Sequence, residues 1–412
     1  EDTAKDATVA AAAQKIIDRI DKEYGAVFAK SEVVLNGAKA PNGNRDSETN
    51  NGDLITDAMV WKILQDKESL TVDADHVVAV TNGGGIRKAI NPGDVTKKSI
   101  NEVLPFGNTV VTIYITGAEL LEALEASTYC TPDAIGGFPQ VSGINYTIST
   151  AVAYDANAET YPASTYYGPK SINRVTINSI NGKEFKADDT YAVITNDFCG
   201  GGGDTYYAFA AATAKFDTGI PLDEVVMEYI TAELKGVIGK QYAEPQGRIL
   251  MNPFKDVKTS AWYGSYVIDL YNDGIINGTS ATTYAPNDTL TWAAALKLLL
   301  VSHGDLKAAD ATGADWSKNT IAKAAELGLV AADLDGAKAI SRLEFCQVAA
   351  KLNKLAESKT ESKFTDCTDG YVMALVDAKV ISGMTETTFE PAASLTRAQI
   401  AKIIYQLNLI EK

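Results

Sequence analysis

The sequence predicts a layered α/β or α+β first half followed by an array of related segments. Two observations carry this. Over residues 1–250, short apolar runs alternate with segments of helical period, the mixture that packs helices onto a sheet. From 251 to 412 that character gives way to stretches that repeat one another at fixed internal spacings, the mark of a repeat architecture. A length of 412 residues with 46% hydrophobic content suits two or three domains with ample core.

Residues 8–23 read as an amphipathic helix, with Val9, Ile16, Ile17 and Ile20 at helical spacing. A second helix is expected from about Asp53 to Gln65, with Leu54, Ile55, Met59, Val60 and Ile63 inward. His76–Thr81 is a short apolar run that reads as a buried strand delivering the turn Asn82-Gly83-Gly84-Gly85. Thr109–Thr116 is a strand and 117–127 the helix after it; 143–150, 173–179 and 190–196 are further strands. Residues 151–172, rich in Ala, Tyr, Ser and Pro, read as a long loop. The domain boundary falls near Gln246–Pro253, giving domains 1–250 and 251–412.

The net charge of −16 excludes a general nucleic-acid binder, which needs a basic footprint. It leaves room for a small anion held by a few placed arginines. No apolar run reaches the length of a membrane-spanning helix, so no membrane insertion is expected. The polar start, Glu1–Asp6, is not a signal peptide; the chain is cytosolic, or its signal was removed or never included. Four cysteines are too few for a disulfide scaffold. Cys130 with Cys199 or Cys346 with Cys367 could bridge, and isolated thiols fit equally well; Cys199 reads as a small filler in its loop. The two histidines, His76 and His303, lie in no metal motif.

Five clusters in the first half have the chemistry of one divided site: Arg45, then Thr81–Arg87, Leu104–Asn108, Gln140–Gly143 and Asn196–Asp204. Arg45 and Arg87 can hold a phosphate bidentately, though surface arginines are common. Phe106 and Phe198 sit on turns, where aromatics pack poorly into a core and stack well on a flat base. Asp204 can accept hydrogen bonds from both ribose hydroxyls, or cap a helix near Tyr206. Asn82 can touch a ligand or simply end a strand. The glycines before Asp204 let backbone approach a ligand; without a following Gly-Lys-Ser/Thr they are not a triphosphate loop.

The order of these clusters, with Asn51-Gly52-Asp53-Leu54-Ile55-Thr56-Asp57-Ala58-Met59, Thr116–Leu120 and Asn196-Asp197-Phe198…Asp204, resembles the C-terminal domain of the 5'-nucleotidase family from about residue 10 to 248. The resemblance implies that Phe106 and Phe198 clamp the base, Asp204 and Asn82 hold the nucleoside, and Arg45 and Arg87 bind the phosphate of a nucleoside or nucleoside monophosphate. Asn108 joins that set, and Gly143 is a turn near the ligand. In that family two divalent metals sit in an N-terminal metallophosphoesterase domain with Asp-x-His and Gly-Asn-His motifs. Such motifs do not occur in this sequence. The expectation is therefore that the chain starts near the interdomain linker, that an upstream portion is missing, and that this portion alone holds no cofactor and hydrolyses nothing.

The repeats open with Phe254-Lys255-Asp256 and Phe364-Thr365-Asp366. Gly278 precedes Pro286, and Gly383 precedes Pro391, by eight residues, with Thr291 and Thr396 five further on. A degenerate middle copy keeps Trp316, Gly328 and Ser341-Arg342-Leu343-Glu344. These segments resemble S-layer homology modules, at about 253–305, 306–358 and 359–412. The resemblance implies an all-α pseudo-trimer that binds secondary cell-wall polysaccharide, an extracellular location in the cell wall or S-layer, and compatibility with S-layer self-assembly. The polymer contacts it suggests are Asp256, Trp262, Trp292, Trp316, Arg342, Asp366 and Arg397, Trp292 standing where the others have arginine. Together the halves imply the substrate-recognition and wall-anchoring portion of an extracellular 5'-nucleotidase. The alternative is a non-enzymatic surface protein displaying a nucleotidase-like module; a cytosolic nucleotide-binding protein fits the repeats poorly.

Overall fold

The computed structural model describes residues 6–153 and 172–410. The chain divides into two compact units, Glu1–Leu250 and Met251–Lys412. The loop expected at 151–172 lies almost wholly outside the described residues.

The first unit begins with α1 (Ala7–Tyr24), β1 (Val27–Ser31), α2 (Asn50–Leu64) and β2 (Val77–Asn82). Next are β3 (Gly93–Thr96), α3 (Lys97–Val103), β4 (Thr109–Thr116), α4 (Gly117–Ser127), β5 (Pro139–Ser142) and β6 (Ile144–Ile148). After these come β7 (Val175–Ile180), β8 (Thr190–Asn196), the one-turn α5 (Asp197–Gly200) and α6 (Tyr207–Ala210), β9 (Ala214–Pro221), α7 (Leu222–Ala232), β10 (Val237–Ile238) and β11 (Ile249–Met251).

The central sheet has the order β5-β2-β8-β4-β9, with two three-stranded sheets, β10-β1-β3 and β11-β6-β7, beside it. β2 and β8 run parallel, while β4 and β5 run antiparallel to them. Strand side chains alternate between faces, and both faces here are buried. Val77, Ala79, Ala192 and Ile194 join one cluster with Leu54, Ile55, Ala58 and Met59 of α2 and Val225, Val226 and Ile230 of α7. The intervening Val78, Val80 and Val193 are equally buried and serve the opposite face.

Helix α2 starts at Asn50 rather than near Asp53, because the Thr49 side chain accepts from the Gly52 N–H and caps it. Helix α4 starts where expected, closed by a reciprocal capping box between Thr116 and Glu119. Strand β5 lies outside the sequence expectations. Its polar residues Gln140 and Ser142 are as buried as its apolar ones, so no alternation marks it. Strand β9 is also unanticipated: it is a largely exposed edge.

Each repeat of the second unit contributes two helices, α8 (Gly264–Asn272) and α9 (Trp292–His303), α10 (Trp316–Glu326) and α11 (Arg342–Leu352), and α12 (Gly370–Asp377) and α13 (Arg397–Ile410). The helices that pack together come from neighbouring repeats: α9 on α10, α11 on α12 and α13 on α8. Each second helix is capped by the Thr or Ser that the repeat places there: Thr291 accepts from Ala294 N–H, Ser341 from Glu344 N–H and Thr396 from Gln399 N–H. The same three starts join the modules head to tail. Trp292 and Ala293 N–H donate to Lys338 and Gly336 carbonyls, Arg342 and Leu343 N–H to Ala393 and Pro391, and Arg397 and Ala398 N–H to Asp288 and Pro286. The unit is thus a closed pseudo-threefold cycle.

Candidate functional site

The register of the central sheet explains why distant clusters meet. β2 ends at Asn82, β8 ends at Asn196 opposite Val110 near the start of β4, and β5 begins at Pro139 opposite Asn82. Four connections therefore emerge at one sheet end. The Asn82–Gly85 turn is held by Gly83 N–H on Phe138 O and Gly84 N–H on Gly136 O, each 2.7 Å. A side chain at Gly83 would collide with the Asn44 carbonyl, so glycine there lets the Arg45 loop lie directly on the turn.

The result is a cavity of about 470 Å³ lined by Arg45, Asn82, Gly84, Gly85, Arg87, Phe106, Asn108, Gly136, Phe198 and Asp204. Seven of the residues singled out from sequence stand on its wall. Phe106 is 60% exposed and Phe198 47%, so neither ring is packed into the core. Phe198 rests against Gly203, where a Cβ would come within 2.5 Å of the ring. Arg87 lies over Phe106, its guanidinium carbon 5.6 Å from the ring centroid, and donates to Gly84 O at 3.0 Å. Arg45 has a buried Nε with no hydrogen-bond partner. The Asn108 amide donates to Asp197 at 2.6 Å, tying the turn that carries Phe106 to the one that carries Phe198.

Asp204 is buried, in a left-handed conformation with φ 52°. It takes a 2.7 Å hydrogen bond from the Asn82 amide, and the short helix after it has no side-chain cap, so the capping alternative falls away. Burial raises the Asp204 pKa; the Asn82 hydrogen bond and the Arg45 charge oppose that. Cys199 is fully buried and burial pushes its thiol far up, which fits a filler and not a nucleophile.

Gly143 stands apart from this cavity. It has φ +77° in the β5–β6 turn, against Val77 at the opposite end of β2, so its glycine answers a backbone requirement. The residue of its cluster that supports the site is Gln140, whose amide bonds Asn44 and Ser47 carbonyls and braces the Arg45 loop. Gly136 is a wall residue that the sequence reading does not include; the Gly136-Gly137 pair was the available signal.

Among the described residues no group of three or more His, Cys, Asp or Glu side chains could hold a metal ion. His76 lies between Asp75 and Asp189, and His303 bonds Asp305. Among the described residues the donor set does not fit a two-metal centre. Among the described residues, no helix is long and apolar enough to cross a membrane.

In the second unit, Trp262 and Arg342 line a groove of about 150 Å³ with Ser382, Gly383, Met384, Gln399 and Lys402. Trp262 is 58% exposed. The other sequence candidates lie elsewhere. Asp256 accepts from Tyr284 and Ala285 N–H at 2.9 and 2.7 Å, and Asp366 accepts from Phe389 and Glu390 N–H at 2.8 Å each. Both carboxylates secure turns whose last residue has positive φ. Arg342 donates to Ser382 O and lies over Phe389; Arg397 donates to Tyr284 and Asn277 carbonyls and lies over Tyr284. These arginines lock module to module. Trp292 is half-buried at the third junction, and Trp316 lies beneath Lys297.

Residues 27–211 match the family model of the 5'-nucleotidase C-terminal domain, and residues 253–295 and 366–401 match that of the S-layer homology domain. The first unit thus carries a 5'-nucleotidase C-terminal domain and the second carries S-layer homology modules. The two module matches are the first and third repeats. Over 221 residues the chain is 36% identical to the trifunctional nucleotide phosphoesterase protein YfkN of Bacillus subtilis, covering 53% of this chain and 13% of that protein. It is 32% identical over 173 residues to the cell wall protein Lmo0130 of Listeria monocytogenes, covering 40% and 19%. A solved 5'-nucleotidase precursor from Thermus thermophilus aligns with TM-score 0.46 at 31% identity, covering 59% of this chain and 42% of that one. The chain spans less than half the length of each of these proteins.

Proposed function

We propose that this chain is the substrate-recognition and wall-anchoring portion of an extracellular 5'-nucleotidase. The reading rests on one observation: two exposed rings, two arginines, two asparagines and a buried aspartate line a single cavity whose size suits a small ligand. Phe106 and Phe198 take the base, Asp204 the ribose hydroxyls, and Arg45 and Arg87 the phosphate of a nucleoside monophosphate. The unpartnered Arg45 Nε supports an anion there, since buried donors are ordinarily satisfied. The hydrolytic metals belong to a metallophosphoesterase domain, and the present chain binds without hydrolysing. The S-layer homology modules, and likeness to a cell wall protein, support attachment to secondary cell-wall polysaccharide. Trp262 offers a stacking face and Lys402 a cation in the groove of the second unit.

Calorimetry with adenosine monophosphate tests the reading. The chain should bind, and Phe198→Ala should weaken binding by roughly tenfold or more, since stacking on an aromatic is worth about 1–3 kcal/mol per base. No heat at millimolar nucleotide, or phosphatase activity of this chain that a chelator abolishes, would overturn it.

A further inference from the structure

We propose that Asn196 is a positioning residue for ribose recognition: it orients the Asn82 amide so that its N–H, and not its oxygen, faces the Asp204 carboxylate. The proposal rests on the reading of Asp204 as acceptor of the ribose hydroxyls. Asn196 does not line the cavity and is 3% exposed, so it acts through its neighbours.

The direction of the relay follows from one group that can only donate. The Cys199 backbone N–H donates to Asn196 Oδ1 at 2.8 Å. That fixes which end of the Asn196 amide points inward, a choice that shape alone leaves open. Its Nδ2 must then face the other way, where it donates to Thr81 Oγ1 at 3.0 Å and Asn82 Oδ1 at 3.1 Å. With its oxygen so engaged, Asn82 presents Nδ2 to Asp204 Oδ2 at 2.7 Å. Each link leaves the next only one orientation. The last link puts a donor on a buried carboxylate, which favours the ionised form and leaves it able to accept from a diol.

A carboxylate at position 196 could still accept from Cys199 N–H, but it could not donate to Asn82. The Asn82 amide would turn over and set its oxygen against Asp204. Asn196→Ser keeps the cap on the short helix and is too short to reach Asn82.

The test compares adenosine with 2',3'-dideoxyadenosine by calorimetry on the full chain. Asn196→Asp should lose roughly tenfold in adenosine affinity, the scale of a charged hydrogen bond, with dideoxyadenosine affinity unchanged. Adding Asp204→Asn should restore part of the loss, because an amide there can donate to the inverted Asn82. Equal losses for both nucleosides, or none, would overturn the relay. Equal affinity of the unaltered chain for the two nucleosides would instead overturn the ribose reading, and the proposal with it. Should the Asp variant fail to fold, Asn196→Ser serves, with the same selective loss expected and the same equal loss fatal.

Discussion

Three carboxylates converge on one guanidinium inside the first unit. Arg248 holds Asp57 at 2.8 Å and Asp53 at 3.4 Å. Glu48 accepts from Ile249 N–H at 2.7 Å, and Asp53 from Gln246 N–H at 3.1 Å. One arginine cannot neutralise all three. Burial, then the Glu48 charge, push Asp53 up to about 9, and burial raises Glu48 as well. A carboxyl whose folded pKa lies above its unfolded value binds its proton preferentially in the folded state. Its contribution is full below the unfolded value of about 4 and is lost as pH rises through the folded one. The melting temperature should therefore fall on the alkaline side. Asp53→Asn, neutral at every pH, should reduce that fall; melting curves of both chains at about pH 6, 8 and 10 check this. A decline just as steep in the variant would show that Asp53 does not carry the effect.

At this scale the sequence was readable where turn chemistry exposed a side chain. Phe106 after a proline and Phe198 before a glycine run read as turn residues and poor core candidates, and neither is packed into the core. Asn196 was unreadable, because its role depends on which way a buried amide is turned. The turn-securing hydrogen bonds of Asp256 and Asp366 were unreadable for a different reason. Their sequence positions look open, and only folding brings the backbone N–H groups of residues 284–285 and 389–390 onto them.

Among the elements, α2 does the most to seat the site. Its apolar face covers β2 and β8, the strands that end in Asn82 and Asn196. Its cap residue Thr49 donates its backbone N–H to Gln140, the side chain that braces the Arg45 loop. Leu54 is fully buried there, whereas Ile16 on α1 is 61% exposed. Leu54→Ala should cost about 2–5 kcal/mol, the range for truncating a packed side chain, and Ile16→Ala should stay within about 0.5 kcal/mol. Urea midpoints of the first unit's transition measure both; similar shifts would mean that α1 is covered in solution. The β-branched and aromatic runs of β4 and β8 made those strands legible. Strand β5 was hidden because its polar side chains are buried for bracing and not for core.

For the whole molecule, the proposed nucleotide recognition and wall attachment fall in separate units, so substitutions in one should leave the other untouched. Trp262→Ala, at an exposed ring, should lower retention on purified cell-wall sacculi several-fold while adenosine monophosphate affinity stays constant. Phe198→Ala should do the reverse. A Trp262→Ala chain retained as well as its parent would remove the groove beside Arg342 from the wall-binding surface. The two-part plan was visible in the changed spacing after Met251, and a pseudo-trimer was expected from the likeness to S-layer homology modules; the backbone hydrogen bonds that help close it leave no mark on the side-chain pattern.

That closure has a price in modularity. With three members and three junctions, every module is braced on both sides and none is terminal. Excising any one would sever two junctions and strand the remaining pair on a single contact. The residue at each junction can therefore vary singly, as Trp292 in an arginine position illustrates, whereas loss of a whole module would open the ring.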